Sequence, residues 1–347
     1  MTITRVDDIL ARSREAVQPA MRAAIDGLSP TLRPIATYHM GWTDPEGNAV
    51  KDAPSGKGIR PTLAILGAQA AHAEPDIGMP AGIAVELVHN FSLIHDDIID
   101  ADTERHHRPT VWSVFGVAPA IVVGDALQVL AHLVLLDGSE LHGASASAAL
   151  ANATAEMIAG QSHDIDFETR RDVSVDECMA MSTAKTGALL GCASSIGAIL
   201  AGAPRPTVEA LRDYGRHLGL AFQAIDDLLG IWGDPATTGK PAGSDIRQRK
   251  KSMPLVSAMT AEGDDADELR ALILGPQEVT QTPTAMDSDD VARATYLVEA
   301  CGGKEWTTAQ AKTNLDSALG ALDRVPLSAD AHRDLTELAV FVVERES

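Results

Sequence analysis

The sequence has 347 residues, of which 45% are hydrophobic but only 3% aromatic, and its formal net charge at pH 7 is −21. Many small apolar residues and few aromatic ones suit closely packed helices and disfavour a β-sandwich. The excess of carboxylates argues against nucleic acid and against an anionic membrane surface as binding partners.

Helical periodicity runs along the chain, and no segment shows the alternation of a half-buried strand. The predicted helices span residues 5–27, 58–73, 78–101, 118–136, 144–162, 174–184, 187–202, 207–231, 246–261, 288–301, 304–322 and 328–345. Loops with Gly, Pro or Asp turn signals are predicted at 36–55, 232–245 and 275–288. Composition does not change across these loops. We therefore predict an all-α fold in a single domain, residues 1–347, with its motifs between about 55 and 260.

No targeting segment is predicted. The first residues, MTITRVDDILARSREAV, lack the apolar core of a signal peptide. The apolar run Thr186–Ala203 is long enough to cross a membrane, but it is rich in Gly, Ala and Ser, which favours a buried helix. Cys178, Cys192 and Cys301 lack metal-ligand spacing and are typical of reduced thiols. We expect a cytoplasmic protein without an integral membrane segment.

Two aspartate pairs stand inside apolar helical segments, about 130 residues apart in sequence. The first, Asp96-Asp97 followed by Asp100, lies in LVHNFSLIHDDIID. On a helix, Asp96 and Asp100 are separated by about 40°, and His89 and Ser92 share their stripe. Adjacent carboxylates repel and are costly to bury, so the pattern indicates a compensating cation. Because oxygen ligands dominate, Mg²⁺ is the predicted ion.

The second pair, Asp226-Asp227 in LGLAFQAIDDLLGIW, has the same design. Gln223 and Asp227 share a helix face at i and i+4. The residue that matches Asp100 in spacing is Gly230, which supplies no carboxylate, so this cluster is the weaker one. Mg²⁺ bound by few carboxylates usually completes its shell with phosphate oxygens. Two such clusters suggest a metal-bridged diphosphate site.

Three basic clusters could bind the diphosphates. They are Lys57 with Arg60, then Arg105, His106 and Arg108, and finally Lys240, Arg247, Arg249, Lys250 and Lys251. The first cluster enters a predicted helix, whose N-terminus favours anions. Arg offers a bidentate fork and Lys a point charge to phosphate oxygens. Each cluster alone is typical of a solvated loop, but three of them in so acidic a chain favour diphosphate binding.

These motifs together resemble the trans-isoprenyl diphosphate synthases, also called polyprenyl synthetases. The resemblance runs from about Lys57 to Pro254, and its specificity comes from the order of the pieces. They are Gly56–Pro61, His89, Ser92–Asp100, Arg105, Pro109-Thr110, Gly124-Asp125, Gly160-Gln161, Lys185-Thr186, Phe222–Asp227, Gly233–Pro235, Gly239–Pro241, Gly243–Asp245 and Lys250–Pro254. Outside this region the sequence adds only a compatible helical pattern.

The resemblance implies an isoprenoid synthase helical bundle with a central apolar cavity, a homodimer, and Mg²⁺ as cofactor. It also implies isopentenyl diphosphate and an allylic diphosphate as substrates. The residues that would hold Mg²⁺ on the allylic diphosphate are Asp96, Asp97, Asp100, Asp226 and Asp227. Those that would contact the same substrate are Arg105, Lys185, Gln223 and Lys240, with Thr186 and Lys250 as further candidates. Those that would bind isopentenyl diphosphate are Lys57, Arg60 and His89.

Two positions depart from the family pattern. The family usually has a second Arg after Arg105, which contributes to the isopentenyl site, and this chain has His106. A histidine can donate a hydrogen bond, but it carries full charge only below about pH 6.5. The other departure is Gly230. Either change could lower affinity or alter the role of the site.

The implied reaction breaks the allylic C–O bond, lets the double bond of isopentenyl diphosphate attack the resulting cation, and then loses a proton. The growing tail needs an apolar tunnel between helices. Phe91 and Ser92, five and four residues before Asp96, occupy the positions where the family gauges product length. A bulky Phe91 beside a small Ser92 resembles the C20 type, so geranylgeranyl diphosphate is the expected product and a C15 product is next. Both residues could equally be core packing.

Two alternatives remain open. A class I terpene cyclase uses the same scaffold and similar Asp–Mg²⁺ chemistry, but cyclases guide carbocations with aromatic faces, and this chain has only twelve aromatic residues. It also has Lys57, Arg60 and His89, which a cyclase does not need. A catalytically impaired subunit that modulates an active synthase is the other alternative. His106 and Gly230 favour it, whereas the complete first aspartate motif opposes it.

Overall fold

The computed structural model describes residues 2–50, 56–105, 107–234, 242–275 and 286–343, with side chains from residue 5 onward. The helices before residue 204 are α1 (Thr2–Asp26), α2 (Arg33–His39), α3 (Ile59–Ala70), α4 (Met79–Ile99), α5 (Val111–Phe115), α6 (Val117–Gly138), α7 (Gly143–Thr169), α8 (Val175–Ser182) and α9 (Ala188–Leu200). The later helices are α10 (Arg205–Trp232), α11 (Ser244–Arg247), α12 (Met253–Met259), α13 (Asp264–Leu274), α14 (Ser288–Ala300), α15 (Gly303–Leu322) and α16 (Ala329–Val343).

Other elements are short. A 3₁₀ turn, Pro75–Gly78, precedes α4, and a π-helical turn, Thr183–Gly187, links α8 to α9. The one sheet within the described ranges is a hairpin of β1 (Glu104–Arg105) and β2 (Arg108–Pro109). The all-α prediction is confirmed.

Three segments differ from the predicted helices. Residues 33–39 form α2, although a loop was predicted from residue 36. The predicted helix 246–261 is two short helices, because Arg249 has a left-handed φ of 55° and Pro254 can be accommodated only in the first turn of α12. Helix α13 was not predicted, although an acidic first turn and buried residues at helical spacing, Ala266, Leu269 and Ile273, marked it in the sequence.

The chain divides into two compact units, each assembled from separate stretches of sequence. The first unit comprises Met1–Thr154, Leu189–Gly215 and Ala321–Phe341. The second comprises Ala155–Ala188, Arg216–Gly320 and Val342–Ser347. The prediction of a single domain stays a prediction.

The core of the first unit depends on small residues that let helices approach closely. A Cβ built at Gly197 of α9 would overlap the backbone carbonyl oxygen of Ala64 in α3. Helix α4 is almost wholly apolar from Ala81 to Val88 and packs against α3 and α6. A Cβ at Gly124 of α6 would likewise overlap the ring of His95 on α4. The close approach of α6 to the His95 ring helps to position α4, the helix that carries the first aspartate motif.

The second unit has two clusters of buried side chains. One centres on Ile231, Ile246 and Leu255, with apolar residues of α13 and α14 around them. The other joins Phe167 of α7 to Cys178 and Met181 of α8, Ala224 of α10 and Val256 of α12. Both clusters include residues of α10, which carries the second aspartate pair, so burial of its apolar face positions that pair.

Three helical segments are long and apolar enough to cross a membrane on length and composition alone. They are Pro75–Ile99, Val117–Gly138 and Val175–Leu200. Within the fold, 61%, 33% and 72% of their most apolar windows are buried, respectively. The predicted buried helix in the run Thr186–Ala203 agrees with this, since nearly every residue of α9 is buried. Helix α6, by contrast, keeps large apolar side chains exposed, among them Val122, Val129, Leu133 and Leu136.

The contact between Gly197 and Ala64 leads to a prediction about stability. We expect Gly197→Ala to lower the free energy of unfolding by about 1–3 kcal/mol, because the new methyl group has no space beside the α3 backbone. Gly320→Ala is the matched control, since Gly320 is an exposed helical glycine with nothing near its Cβ position. This control is expected to raise the free energy of unfolding by up to about 1 kcal/mol. Urea denaturation measures both, and equal effects would contradict the α3–α9 packing described here.

Candidate active site

The first aspartate motif ends α4, and its three carboxylates differ in exposure. Asp97 is only 2% exposed, whereas Asp96 is half-buried and Asp100, at the C-terminal end of the helix, is exposed. His89, Ser92 and Asp96 are all partly accessible, while most of their neighbours on α4 are buried. The three residues therefore share one accessible face of the helix, as their spacing predicted. Asp96 and Asp100 are therefore the carboxylates of this motif that solvent reaches.

The buried Asp97 is paired with Arg105. Arg105 Nε donates to Asp97 Oδ1 at 2.7 Å. Burial raises the pKa of Asp97 and the Arg105 guanidinium opposes that rise. Because a buried carboxylate needs such a partner, this contact holds Arg105 in place at the start of the hairpin.

The hairpin that follows is anchored to helix α2. Tyr38 Oη donates to the Pro109 carbonyl at 2.7 Å, and Arg108 Nη2 donates to the Thr43 carbonyl at 3.2 Å. The Arg108 guanidinium also lies over the Tyr38 ring, 4.7 Å from its centre. His106 lies outside the described residues, and His107 beside it has a left-handed φ of 60°. These contacts were not predicted, since two-residue strands are too short to show a strand pattern.

A cavity of about 450 Å³ lies in the first unit, beside Asp97 and the hairpin. Residues from α1, α2, the loop before α3, α4 and the hairpin line it, including Arg14, Tyr38, His39, Gly58, Glu86, His89, Asn90, Asp97, Arg105 and Arg108. Three arginines and two histidines thus line the same space as the carboxylates Glu15, Glu86 and Asp97, and the arginines and histidines offer several hydrogen-bond donors to a bound anion.

The histidines of the cavity are held neutral in the free protein. His39 Nε2 lies 2.9 Å from Asn90 Oδ1, and Asn90 Nδ2 donates to the Glu86 carbonyl at 2.8 Å. Burial lowers the pKa of His39 to about 4, an effect that the hydrogen bond to Asn90 opposes and Arg105 and Arg108 reinforce. Burial and the charges of Arg60 and Arg105 also lower the pKa of His89 well below its usual range. Sequence reasoning found His89 but missed His39 and Asn90.

The loop and first turn of α3 carry Lys57 and Arg60. Lys57 is exposed, and Arg60 is partly buried. Gly58 caps the helix with a φ of 69°, and a Cβ there would lie 2.7 Å from Cγ of Arg14. A glycine is therefore required at this position both by its backbone conformation and by the close approach of α1. Burial raises the pKa of Glu86, and the charge of Arg60 opposes the rise.

Phe91 and Ser92, the predicted chain-length residues, lie on different sides of α4. Phe91 is buried and makes an edge-to-face contact with the ring of His95, at 4.9 Å between centres. Ser92 is partly accessible on the Asp96 stripe, and its hydroxyl donates to the His89 carbonyl. A larger side chain at position 92 would therefore stand on the stripe that carries Asp96.

In the second unit, Asp227 is the buried member of its pair. It is 3% exposed, whereas Asp226 is exposed. Gln223 Nε2 donates to Asp227 Oδ1 at 2.8 Å, which confirms the contact expected from their spacing, and Met253 N donates to Asp227 Oδ2 at 2.9 Å. Burial raises the pKa of Asp227, and the charge of Lys250 opposes this.

Lys185 lies on the π-helical turn Thr183–Gly187, a distortion that is frequent at functional sites. Its Nζ pairs with Asp164 Oδ2 at 2.5 Å, and the hydroxyl of Thr186 donates to Gln223 Oε1 at 2.7 Å. A Cβ at Gly160 of α7 would overlap the backbone of Lys185, so the glycine permits this close packing. The structure thus brings Lys185, Thr186 and Gln223 together with Asp227. Asp164 was missed, because nothing in its spacing distinguished it.

Lys250 is buried among carboxylates. Burial alone would lower the pKa of its ammonium group, but Asp227 and Asp245 outweigh it, followed by Asp164 and Asp226, and the pKa is raised. Lys250 therefore stays charged and compensates the aspartates of this unit. The predicted Lys240 lies outside the described residues.

Gly230, the position without a third carboxylate, has no space for one. A Cβ built there would overlap the carboxylate of Asp245. The carboxylate of Asp245, 15 residues later in the sequence, thus occupies the space that a side chain at position 230 would need. Sequence reasoning noted Gly243–Asp245 as part of the motif series but assigned Asp245 no role.

The exposed carboxylates fit a hard divalent cation. Asp96, Asp100 and Asp226 offer oxygen ligands only, the kind that Mg²⁺ prefers. In the described part of the chain, no three His, Cys, Asp or Glu side chains are gathered so that they could hold a metal ion by themselves. A metal on Asp96 and Asp100 of the first unit, or one on Asp226 of the second, would therefore draw further ligands from a bound phosphate or from water.

Comparison with known proteins agrees with these motifs. The sequence model of the Polyprenyl synthetase family matches residues 49–287. A (2E,6E)-farnesyl diphosphate synthase of Mycobacterium tuberculosis is 43% identical over 98% of this chain and 93% of its own length. A geranylgeranyl diphosphate synthase of the same organism is 39% identical over 97% of this chain and 93% of its own length.

Solved structures give the same result. The crystal structure of a polyprenyl synthetase from Streptomyces coelicolor A3(2) has a TM-score of 0.91 and 47% sequence identity, and the match covers 97% of this chain and 99% of that one. Other members were solved as complexes with isoprenyl diphosphate and with calcium or magnesium. The chain therefore belongs to the polyprenyl synthetase family, the trans-isoprenyl diphosphate synthases, and is a short-chain prenyltransferase.

Proposed function

We propose that this chain condenses isopentenyl diphosphate with an allylic diphosphate in the presence of Mg²⁺ and releases a trans-prenyl diphosphate five carbons longer. The observation that carries the proposal is the cavity of about 450 Å³ in the first unit, where His39, His89, Arg105 and Arg108 line one space. Two guanidinium groups and two imidazoles around one space offer the hydrogen-bond donors that the diphosphate of a small substrate needs.

Magnesium is the proposed cofactor. Asp96, Asp100 and Asp226 are its proposed ligands, because they are the accessible carboxylates of the two motifs. Asp97 was predicted as a ligand as well, but its carboxylate is buried against Arg105, so we assign it the role of positioning that arginine. The bound ion would stabilise negative charge on the departing diphosphate. The family members solved with calcium or magnesium support the choice of a divalent cation.

The basic residues divide between two substrates. We propose that Lys57, Arg60 and His89 hold isopentenyl diphosphate. His89 lines the cavity of the first unit, whereas Lys57 and Arg60 are sequence neighbours of its lining residues Gly56, Gly58 and Pro61. Arg105, Lys185, Gln223 and Lys240 are assigned to the allylic diphosphate, with Thr186 and Lys250 in support. Arg105, Lys185 and Gln223 are donors already fixed by Asp97, Asp164 and Asp227, so they cost little reorganisation when the C–O bond breaks.

The product is proposed to be geranylgeranyl diphosphate, with farnesyl diphosphate as the second candidate. The small Ser92 on the Asp96 stripe leaves room for a longer tail, which favours C20. The farnesyl diphosphate synthase at 43% identity favours C15, and the geranylgeranyl diphosphate synthase at 39% favours C20. Sequence identity alone therefore does not decide between a C15 and a C20 product, so the product length is tested by changing the side chain at position 92.

Turnover tests the proposed reaction. Purified protein with Mg²⁺, isopentenyl diphosphate and a C5, C10 or C15 allylic starter is expected to give prenyl alcohols after phosphatase treatment, and none without isopentenyl diphosphate. Asp96→Asn should lower kcat/KM at least about 100-fold, because it removes a metal ligand while keeping the shape of the side chain, and its Tm is measured alongside. Asp76→Asn, an exposed carboxylate near the start of α4, is the control.

Two other results would overturn the proposal. Hydrocarbons formed without isopentenyl diphosphate would indicate a terpene cyclase. Substrate binding without turnover would indicate the modulatory subunit, although the packing of Asp245 against Gly230 removes one reason to suspect it.

Chain length is tested at Ser92. Ser92→Phe is expected to shorten the main product by at least one five-carbon unit, because a ring would stand on the Asp96 stripe. Ser92→Ala keeps the size of the side chain and should leave the product length unchanged. The products are sized by chromatography after dephosphorylation. Identical products from both variants would mean that position 92 does not border the growing tail.

We further propose that the protein is a homodimer that buries the exposed apolar stripe of α6. Val122, Val129, Leu133 and Leu136 recur within about 60° of one another on this helix and are 47–59% exposed. Light scattering after gel filtration should give twice the chain mass, and the variant Val129→Glu/Leu133→Glu should give a monomer. Leu141→Glu, at a side chain 85% exposed in the loop after α6, is the control. A monomeric wild type, or a dimeric double variant, would refute the interface.

A further inference from the structure

Arg105 and Arg108 are direct partners in the hairpin. The register pairs Arg105 with Arg108 and Glu104 with Pro109. Residues directly opposite each other on two antiparallel strands project their side chains to the same face. Both arginines accordingly line the same cavity, beside His39 and His89.

The Arg108 guanidinium is fixed at this place without a carboxylate partner among the described residues. It donates to the Thr43 carbonyl at 3.2 Å and stacks on the Tyr38 ring at 4.7 Å. Tyr38 is itself buried and bonded to the hairpin through the Pro109 carbonyl. A guanidinium has five N–H donors in a planar fork, and a carbonyl takes only one of them. Arg105, in contrast, is already paired with Asp97.

The fields of the two arginines overlap inside the cavity. Both contribute to the lowered pKa of His39, after the larger effect of its burial. His39 is held by Asn90, also a lining residue. The positive potential of Arg108 therefore falls on the space that a diphosphate would occupy, and a dianionic group there would meet a cation that is not already neutralised.

We propose that Arg108 is the second arginine of the isopentenyl diphosphate site and supplies the guanidinium that the family pattern places at position 106. This inference rests on the proposed function, since it assigns a ligand within that site. It places the cation two residues later in sequence than the family pattern does. The hairpin register makes this possible, because it returns Arg108 to the side of Arg105.

The test is calorimetric titration of isopentenyl diphosphate into the protein without an allylic starter, followed by separate KM values for the two substrates. Arg108→Gln is expected to raise the Kd and the KM for isopentenyl diphosphate at least about 10-fold, while the KM for the allylic diphosphate changes less than about 2-fold. Arg108→Lys should give an intermediate Kd, because it keeps the charge and loses the fork. Arg22→Gln is the matched control, since Arg22 also stacks on an aromatic ring, that of Trp42, but does not line the cavity.

A folded Arg108→Gln protein with the wild-type Kd would overturn the inference. If that variant does not fold, a wild-type Kd for Arg108→Lys would do so instead. His106→Arg is a second test, because it restores the family arginine. We expect its Kd to stay within about 3-fold of wild type, and a 10-fold tighter Kd would show that the cation had been missing. A wild-type protein that neither binds isopentenyl diphosphate nor turns over would refute the proposed function itself. Normal wild-type turnover together with a wild-type Kd for the Arg108→Gln variant would refute only the role of Arg108.

Discussion

The burial of one carboxylate in each aspartate pair is the constraint on which the candidate site depends. A buried carboxylate is costly without a partner, and each pair meets that cost differently. Asp97 takes the guanidinium of Arg105, whereas Asp227 takes the amide of Gln223, the backbone N–H of Met253 and the nearby charge of Lys250. In both pairs the other aspartate is left more accessible to solvent. Each pair therefore combines a structural carboxylate with one that is accessible to a ligand.

Much of this could be predicted from the sequence, because helical spacing carries the information. The i and i+4 relation of Gln223 and Asp227, the partly accessible stripe of α4 and the buried run of α9 all follow from helical geometry. Contacts between elements distant in sequence could not be predicted in this way. The pairing of Lys185 with Asp164, and of Asp245 with the space beside Gly230, depends on how helices pack, and spacing along one helix does not report that.

The hairpin shows a different limit. Its strands have two residues each, so no alternation exists to be recognised. The sequence displayed Arg105, His106 and Arg108 as a basic cluster, yet only the strand register shows that the first and last of these are neighbours. Gly230 is a related case, since the sequence showed only a missing carboxylate, whereas the structure places the side chain of Asp245 in the space beside it. A comparison of motifs position by position cannot reveal that Asp245 lies beside Gly230 or that Arg108 lies opposite Arg105, because these side chains come from other positions in the chain.

The neutral His39 in the wall of the cavity links ligand binding to protons. In the free protein, burial and two guanidinium groups hold its pKa at about 4, so the imidazole is uncharged at neutral pH. A polyanion in the cavity would reverse the local potential and raise that pKa. By thermodynamic linkage, a group whose pKa rises on binding takes up a proton as the ligand binds, and the affinity then increases as the pH falls through the raised pKa toward the lower pKa of the free protein. The measured heat of binding would consequently include the ionisation heat of the buffer, and it would differ between buffers at the same acidic pH.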